Sequence, residues 1–460
     1  MKSSRSLLAL GAALGCAAFT FSLAVRAQAQ TFTVLANFNR INAYPPTGTF
    51  VQGTDGKLYT VSANASNGRV ENGNVFSMTI AGEITDLFYF CPVSDYPNCT
   101  QGEFPSSLIL GKDGNFYGTA TEGGTHGCGV VFKITPAGKE STVYNFCTAA
   151  DGFNPNGILQ GSNGDFYVAT QTAISQVTPT GTGKALHTFC TPKGCPDGYD
   201  AVSAPIQGKD GNIYGVAQNG GLENAGVVYQ ITASGRYSLL HEFCSQPNCS
   251  DGTEPNTLVQ DAAGTLYGTT SFGGAALDNA TLFKITPAKE FSILHTFAFD
   301  EIPTSLIIAS DGSFYGTTAT GGGEGGGIFQ VTPDGVYTDL YTSTSVEPSG
   351  LFQATNGIFY GTTSSGGSMG YGEAYSFSYD LSPFVQPVPA AGSAGQNVIL
   401  LGNGLTGTSS VTFNGVAAAF TVKSDTYIQA TVPKGAATGV VSVVTPSGKL
   451  DSNPQFVVMK

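Results

Sequence analysis

The stretch DGNFYGT at residues 113–119 is the clearest copy of a motif that recurs along most of the chain. It returns as DGNIYG at 210–215 and as DGSFYGTT at 311–318. With weaker copies included, seven aligned tyrosines lie 45 to 58 residues apart: Tyr59, Tyr117, Tyr167, Tyr214, Tyr267, Tyr315 and Tyr360. A period of this length is typical of one four-stranded blade of a β-propeller.

Each repeat unit contains the pattern of four short strands. An apolar run such as 107–110 precedes an Asp-Gly turn, which is the strongest short-range signal for a hairpin, and the F-Y-G-T strand follows it. A Gly-rich loop at 122–127 leads to a third strand at 130–135, and a turn at 136–138 leads to the fourth. No segment has a sustained helical period, so the sequence predicts an all-β fold.

The two ends of the repeat region complement each other. The seventh unit leaves the pattern after 374–377 without a fourth strand, whereas residues 32–38 match the fourth-strand pattern. We expect the N-terminal strand to complete the last blade and so remove an exposed sheet edge. The sequence therefore predicts a seven-bladed propeller over residues 30–380. The third unit is short, because Tyr167 precedes Ile174 by only seven residues, and whether it forms a complete blade stays open.

A second domain follows the repeats. Residues 381–389 are Pro-rich and break the pattern, so we predict a stiff linker there. Residues 390–460 contain short alternating strands separated by turn signals, which is typical of a small β-sandwich.

Both parts of the chain resemble known families. The motifs D-G-x-F-Y-G-T-T, G-G, F-K-I-T-P-x-G and L-H-x-F, carried well by 132–136 and 283–287, resemble the choice-of-anchor tandem repeat of the Gloeobacter/Verrucomicrobium (GloVer) type. That resemblance covers about 31–380 and implies an exported bacterial surface protein with no activity attached. Residues 383–460, with GQNVILLGNGL at 395–405 and VPKGAATG at 432–439, resemble an IPT/TIG immunoglobulin-like domain, which implies a spacer or protein-contact module.

The N-terminus has the features of an export signal. Lys2 and Arg5 precede an apolar run from Ser6 to Val25, and Ala27-Gln28-Ala29 is a cleavage site, so residues 1–29 are predicted to be a signal peptide. An uncleaved anchor and lipoprotein processing at Cys16 are the alternatives. Beyond residue 30 no apolar run is long enough to span a bilayer. We expect an extracellular, cell-surface or periplasmic location.

The remaining cysteines agree with export. Eight is an even number, which indicates disulfides in an exported chain. Zinc binding by the two C-x4-C pairs is the alternative. Spacing predicts three short loops and leaves the last two cysteines for each other: Cys91–Cys99, Cys190–Cys195, Cys244–Cys249 and Cys128–Cys147.

Composition excludes some partners. The net charge is −13, and removal of three basic residues with the signal would make it −16. Nucleic acid is excluded, because binding its phosphate backbone needs a basic surface. Charged residues are only 11% of the chain and hydrophobic residues 41%, which argues against disorder. We expect a monomer.

The search for catalytic residues favours a non-catalytic protein. His187, His241 and His295 occupy one position in three repeats, which indicates packing, and no H-E-x-x-H, P-loop or G-x-S-x-G motif is present. The G-x-G-x-x-G matches at 321–326 and 402–407 are followed by no helix, so these glycines are interpreted as turn residues. The repeats are similar to those of streptogramin lyases, but Tyr replaces Trp and the histidines lie on outer strands.

The long loops are the predicted binding surface. In a blade, the first-to-second and third-to-fourth turns share one face, and here the connections on the opposite face are long and carry all eight cysteines. The candidate partner is a surface polysaccharide or an extracellular protein. The alternatives are a carbohydrate-active lyase or hydrolase on this face and a structural cell-surface spacer. No cofactor is predicted, and a structural or ligand-bridging divalent cation stays open. The candidate binding residues, whose alternative role is solvated loop charge, are Glu122, His126, Asp151, Glu223, Asp251, Glu254, Asp300 and Glu324, with Glu301 beside them.

Overall fold

The computed structural model describes residues 30–39, 46, 48–64, 72–91, 98–147, 151–190, 194–274, 279–320 and 325–459. The predicted signal peptide, Cys16 and Glu324 lie outside them. The described chain is all-β apart from one short 3-10 turn at Pro247–Cys249, as the sequence predicts. No helix among the described residues has the length and apolarity needed to cross a membrane.

The repeat region forms seven four-stranded antiparallel sheets. The first strand, β1 (Thr31–Asn37), belongs to the last of them. Sheet 1 contains β2 (Val51–Gln52), β3 (Leu58–Ser62), β4 (Asn74–Met78) and β5 (Ile84–Tyr89). Sheet 2 contains β6 (Glu103–Leu110), β7 (Phe116–Glu122), β8 (Val130–Ile134) and β9 (Glu140–Asn145). Sheet 3 contains β10 (Pro155–Gln160), β11 (Phe166–Thr170), β12 (Ala173–Val177) and β13 (Gly183–Thr188), so the short third unit has all four strands.

The other four sheets repeat this order. Sheet 4 contains β14 (Ile206–Gln207), β15 (Ile213–Ala217), β16 (Val227–Ile231) and β17 (Tyr237–Glu242). Sheet 5 contains β18 (Thr253–Gln260), β19 (Leu266–Phe272), β20 (Thr281–Ile285) and β21 (Phe291–Thr296). Sheet 6 contains β22 (Glu301–Ile308), β23 (Phe314–Thr320), β24 (Gly326–Val331) and β25 (Tyr337–Ser343). Sheet 7 contains β26 (Pro348–Gln353), β27 (Phe359–Thr363), β28 (Glu373–Ser378) and then β1, which pairs with β28 from Thr31↔Ser378 to Asn37↔Glu373.

The antiparallel strand order gives every sheet two different ends. The turns from first to second strand and from third to fourth strand lie at one end, which we call the short-turn face. The connections from second to third strand and from one sheet to the next lie at the other end, which we call the long-loop face. Every candidate binding residue among the described ones lies on or beside a long-loop connection.

The repeated tyrosine fixes the Asp-Gly turn. In sheet 2, Gly114 has a φ of 78°, which glycine adopts without strain, while Asp113 accepts hydrogen bonds from the Asn115 amide at 3.1 Å and from the Tyr117 hydroxyl at 2.9 Å. All seven tyrosine hydroxyls are hydrogen-bonded to the turn residue. Five donate to an aspartate (Asp55, Asp113, Asp210, Asp261 and Asp311) and two accept from an asparagine (Asn163 and Asn356). The motif therefore ties the second strand to its own turn.

The core of the repeat region lies between neighbouring sheets. Seven buried clusters each take side chains from two adjacent sheets, and one of them joins Leu58 and Phe76 of sheet 1 to Tyr360 and Ala374 of sheet 7. Between sheets 1 and 2, the rings of Tyr59 and Phe116 stack at 4.0 Å. Each aromatic side chain buries a large apolar area, so packing of this kind contributes strongly to the core.

Hydrogen bonds also link each sheet to the next. At five junctions, the last residue of a first strand is a Gln whose Oε1 accepts a bond from a backbone amide in the preceding sheet's turn: Gln160, Gln207, Gln260, Gln353 and Gln52. The last of these joins Thr355 of sheet 7 to sheet 1 at 3.0 Å across 303 residues. The Phe104 backbone amide donates to the Asn72 carbonyl and links sheets 1 and 2, and the Asn256 side-chain amide donates to the Pro303 carbonyl and links sheets 5 and 6.

The C-terminal domain is a small sandwich of two four-stranded sheets. One has the strand order β29-β31-β35-β34, the other has β33-β32-β36-β37, and β30 pairs with β38 in parallel. The strands are β29 (Gln386–Val388), β30 (Ala391–Gly392), β31 (Asn397–Leu401), β32 (Ser410–Phe413), β33 (Val416–Ala417), β34 (Phe420–Ser424), β35 (Tyr427–Thr431), β36 (Val441–Thr445), β37 (Gly448–Asp451) and β38 (Val457–Val458). Strand β29 lies inside 381–389, so part of that Pro-rich segment is built into the sandwich.

This domain packs on the short-turn face. Thr426 donates a hydrogen bond to the Thr54 carbonyl in the sheet 1 turn at 2.7 Å, and Asn403 donates one to Thr355 in the sheet 7 turn at 2.7 Å. Asn453 donates to the Ile308 carbonyl in sheet 6 at 3.2 Å. Ile399 and Leu401 are buried in one cluster with apolar residues of sheets 1 and 2. The contacts thus reach several sheets.

Candidate functional site

Four disulfides brace the long-loop face. They join Cys91 to Cys99, Cys128 to Cys147, Cys190 to Cys195 and Cys244 to Cys249, which are the pairs that the spacing predicts, and sulfur atoms joined in this way are not thiolate ligands for zinc. In three of them the first cysteine directly follows the Phe that ends a fourth strand's apolar pattern. Each of these three closes the loop that leads into the next sheet.

Backbone hydrogen bonds also fix the long loops to the neighbouring sheets. The first strands of sheets 2, 3 and 5 begin around residues with a positive φ, namely Phe104, Asn154 and Glu254, and Asp200 has the same conformation before sheet 4. Each of these residues donates its amide to a carbonyl of the preceding sheet's long loop, at 3.0, 3.1, 2.8 and 2.8 Å for Phe104, Asn154, Asp200 and Glu254. The long loops are therefore fixed to their neighbours, and the candidate residues are held on ordered backbone.

The repeated histidines take part in packing. His187 Nε2 lies 2.9 Å from Asp197 and its ring stacks on Tyr237, and His241 Nε2 lies 3.0 Å from Asp251 and its ring stacks on Phe291. His295 stacks in the same way on Tyr337. Burial lowers the pKa of all three below the usual value, and for His187 and His241 the acidic partner offsets this effect only in part.

The candidate acids separate into buried and exposed groups. Asp151 and Asp251 are 4% and 2% exposed. Asp151 accepts a 2.6 Å hydrogen bond from Tyr144, the residue of sheet 2 that is equivalent in sequence to the repeated histidines. Their carboxylates therefore serve the loop structure. Glu122, His126, Glu223 and Asp300 are exposed, and Glu254 is partly buried. The structure spreads these residues over sheets 2, 4 and 5 and the connection to sheet 6.

One acid that the sequence analysis missed lies beside Glu122. Glu103 is the direct cross-strand partner of Glu122, and both border a cavity of about 530 Å³ that is also lined by Asn98, Thr100 and the Gly-rich loop 123–127. Burial raises the pKa of Glu103, and the Glu122 charge raises it further. A β-bulge between Pro105 and Ser107 shifts the register by one residue, so counting outward from the Asp-Gly turn at 113–114 would place Phe104 opposite Glu122, and the sequence carried no signal for this pair.

The described residues do not assemble a convincing metal site. One group of three potential ligands lies close together, formed by Cys91, Cys99 and Glu103. The two sulfur atoms of this group are joined in a disulfide, so neither is available as a thiolate ligand. The geometry therefore leaves a single carboxylate there.

Comparisons with solved structures identify the fold. A streptogramin B lyase is 16% identical, with 76% of this chain and 98% of that chain covered and a TM-score of 0.54. A catalytically inactive virginiamycin B lyase from Staphylococcus aureus, bound to quinupristin, matches equally well over 99% of its length. A fungal alcohol oxidase in complex with copper is 12% identical, with 94% of this chain and all of that chain covered and a TM-score of 0.52. These are propeller-like proteins, and at such identities the likeness concerns the fold alone.

Comparisons of sequence identify the family. No curated protein matches this chain. The profile of the IPT/TIG domain matches residues 384–458. The profile of the Gloeobacter/Verrucomicrobia repeat matches twice, over residues 17–200 and 201–419, and so covers most of the sequence. The chain therefore belongs to the Gloeobacter/Verrucomicrobia repeat family and carries an IPT/TIG domain at its C-terminal end.

Proposed function

We propose that this chain is an exported, non-catalytic binding or scaffold protein that engages a surface polysaccharide or an extracellular protein through its long-loop face. The observation that carries the proposal is the position of the IPT/TIG domain. It packs on the short-turn face, against turns of sheets 1 and 7 and the end of β22. The stapled, variable loops on the opposite face are left to contact a partner.

The proposal includes a closed seven-bladed propeller over residues 30–380, with the IPT/TIG domain over 390–460. Two observations support closure of the ring. The Thr355 amide bonds to Gln52, and the cluster around Phe76 and Tyr360 packs sheet 7 on sheet 1. A closed ring of blades leaves only short, protected strand edges, which suits a protein that must stay monomeric outside the cell.

Export is supported by the disulfides. Four bridges in one chain fit an oxidising compartment, and the predicted signal peptide at 1–29 would direct the chain there. The repeat family and the IPT/TIG domain suggest a cell-surface protein.

The non-catalytic character is supported by the histidines. In both His187 and His241, Nε2 contacts an aspartate and the ring stacks on an aromatic side chain. A catalytic base needs access to substrate, which this packing denies.

One observation favours a second candidate, a carbohydrate-active hydrolase on the same face. Glu103 and Glu122 face each other beside the cavity of about 530 Å³, where Glu122 is exposed and Glu103 is partly buried, with a pKa raised by that burial and by the Glu122 charge. Two carboxyl groups in different environments are what an acid and a nucleophile or base require.

Matched arginine variants test the proposal. The exported chain, Leu222→Arg/Phe299→Arg on the long-loop face and Ile80→Arg/Val336→Arg on the short-turn face would be applied to an array of surface polysaccharides, cell-wall glycans and extracellular proteins. All four side chains are exposed, so folding should be kept. We expect the long-loop variant to lose about tenfold or more in binding, because hot-spot losses exceed about 1 kcal/mol, while the short-turn variant binds normally.

The same array also separates the two candidates. Product released over time and abolished by Glu103→Gln or Glu122→Gln would establish the hydrolase in place of the binding protein. Equal binding by both arginine variants would contradict the choice of face. A silent array would favour the structural spacer.

A further inference from the structure

The charges of the propeller region are sorted between its two faces. All described lysines and arginines of residues 30–380 lie in the short turns or within two residues of them: Lys57, Lys112, Lys133, Lys139, Lys184, Lys209, Arg236, Lys284 and Lys289. Thirteen acids lie equally close to the described long-loop connections: Glu103, Glu122, Asp151, Asp197, Asp200, Glu223, Glu242, Asp251, Glu254, Asp300, Glu301, Glu347 and Glu373.

The internal segments outside the described residues do not reverse this balance. Their sequences contain three basic residues, Arg40, Arg69 and Lys193, and four acidic ones, Glu71, Asp95, Asp278 and Glu324. On the short-turn face acids and bases are mixed and form pairs such as Lys133–Asp113 at 2.9 Å. Among the described residues, the long-loop face therefore carries one sign of charge, which creates a negative potential over that surface.

Exposed apolar side chains accompany the acids. Leu222 and Phe299 are 75% and 71% exposed, and each directly precedes an exposed acid, Glu223 and Asp300. Phe272 is 37% exposed at the long-loop end of β19. Large exposed apolar side chains among charged ones are a common feature of protein interaction surfaces.

These residues follow consecutive sheets. The Glu254 amide donates to the Ala225 carbonyl at 2.8 Å, which ties the loop of Leu222 and Glu223 to sheet 5. Thr253 pairs with Phe272 across β18 and β19, and Asn256 bonds to Pro303 of sheet 6, whose first strand follows Phe299 and Asp300. We call this surface the acidic arc; it consists of Leu222, Glu223, Glu254, Phe272, Phe299 and Asp300.

We propose that the partner of the acidic arc is a protein segment in which lysines or arginines alternate with apolar side chains. This inference rests on the proposed function and names the chemistry of the partner. A polyanionic polysaccharide would be repelled by the face, and a neutral glycan would gain nothing from its uniform charge. A divalent cation needs several oxygen ligands within one coordination sphere, whereas these carboxylates belong to three separate connections. Basic side chains between apolar ones match both features of the arc.

The test uses a short fluorescent peptide in which lysines and leucines are interspersed with serines. Control peptides replace the lysines by glutamines, the lysines by glutamates, or the leucines by serines. Binding to the exported full chain would be followed by fluorescence anisotropy at low and at high salt. We expect the Lys-Leu peptide to bind and the Gln and Glu versions to fail, and its affinity should fall as salt screens the charges.

Two charge variants locate the binding. Glu223→Gln/Glu254→Gln/Asp300→Asn removes three charges of the arc, and Glu83→Gln/Glu290→Gln/Asp334→Asn removes three from third-to-fourth turns on the other face. We expect the first to weaken peptide binding about tenfold and the second to change it by less than about twofold, because surface charges act over roughly a Debye length. Unchanged thermal unfolding midpoints would show that both variants are folded.

The possible outcomes distinguish this inference from the proposed function on which it rests. Equal binding of the Lys and Gln peptides, or equal effects of the two charge variants, would overturn the basic partner. If the Lys-Leu peptide fails while Leu222→Arg/Phe299→Arg still abolishes binding on the array, the face binds something else and only this inference is lost. If the arginine variant binds the array normally, both are lost.

Discussion

At the scale of single residues, the repeat motif is a hydrogen-bonding unit. The tyrosine that marks each repeat in the sequence reaches back to the turn that precedes it, as Tyr315 does to Asp311 at 3.0 Å. In two repeats the turn residue is an asparagine, and Asn163 and Asn356 donate to the tyrosine oxygen instead. The tyrosine is therefore retained with either partner, because its hydroxyl can both donate and accept.

Burial of the histidines makes stability depend on pH. The pKa of His187 and of His241 is lowered in the folded chain, so the unfolded chain takes up protons first as pH falls. Their contribution to stability is fully present above about pH 6.5 and is lost as pH falls through the lowered folded pKa. The unfolding midpoint of His187→Gln/His241→Gln should therefore depend less on pH between about 7 and 5 than that of the unchanged chain.

His126 is the control for this measurement. It is exposed in the Gly-rich loop of sheet 2, so His126→Gln should leave the pH profile as it is. Identical profiles for the double variant and the unchanged chain would contradict the structural role of the buried pairs. Urea unfolding monitored by tyrosine fluorescence at a series of pH values provides the comparison.

At the scale of elements, the disulfides make two kinds of connection. Three close short connections between sheets, whereas Cys128–Cys147 links the start of β8 to the end of β9 within sheet 2. The cysteines of this bridge are 19 residues apart, against 5 for Cys190–Cys195. The longer loop restricts the unfolded chain more strongly.

Removing these two bridges should therefore have unequal effects. Chain entropy predicts a loss of about 3 kcal/mol for Cys128→Ser/Cys147→Ser and about 2 kcal/mol for Cys190→Ser/Cys195→Ser. Denaturant unfolding of the two double variants measures the difference. A larger loss for the shorter loop would show that contacts in the folded state outweigh the chain-entropy effect.

At the scale of the whole molecule, the IPT/TIG domain belongs to the same folded body as the sheets. Its Leu401 is 1% exposed and Ile399 3% exposed, in one cluster with Tyr59 and Leu110 of the repeat region. Hydrogen bonds to Thr54 and Thr355 place it over the junction between sheets 1 and 7. A domain with such contacts is expected to stabilise the closure that we propose.

Removal of the domain tests this role. A chain that ends at residue 380 exposes the apolar surface that the domain covers. It also loses the burial of Ile399 and Leu401 against that surface, which is worth about 3 to 6 kcal/mol. We expect a lower midpoint of thermal unfolding for the shortened chain and a single transition for the full one. Equal midpoints, or two separate transitions in the full chain, would indicate an independent spacer.

The sequence by itself determined the repeat, the all-β class, the IPT/TIG domain and the disulfide pairs, because glycine turns, alternating strands and cysteine spacing are local signals. Only the tertiary structure decided that Asp151 and Asp251 are buried, that Glu103 faces Glu122, and that the IPT/TIG domain packs on the turns. These depend on strand register and on contacts between residues hundreds of positions apart, such as Gln52 and Thr355. The sorting of charge lay in the sequence throughout, but it became a property of one surface only when the antiparallel strands sent alternate connections to opposite faces.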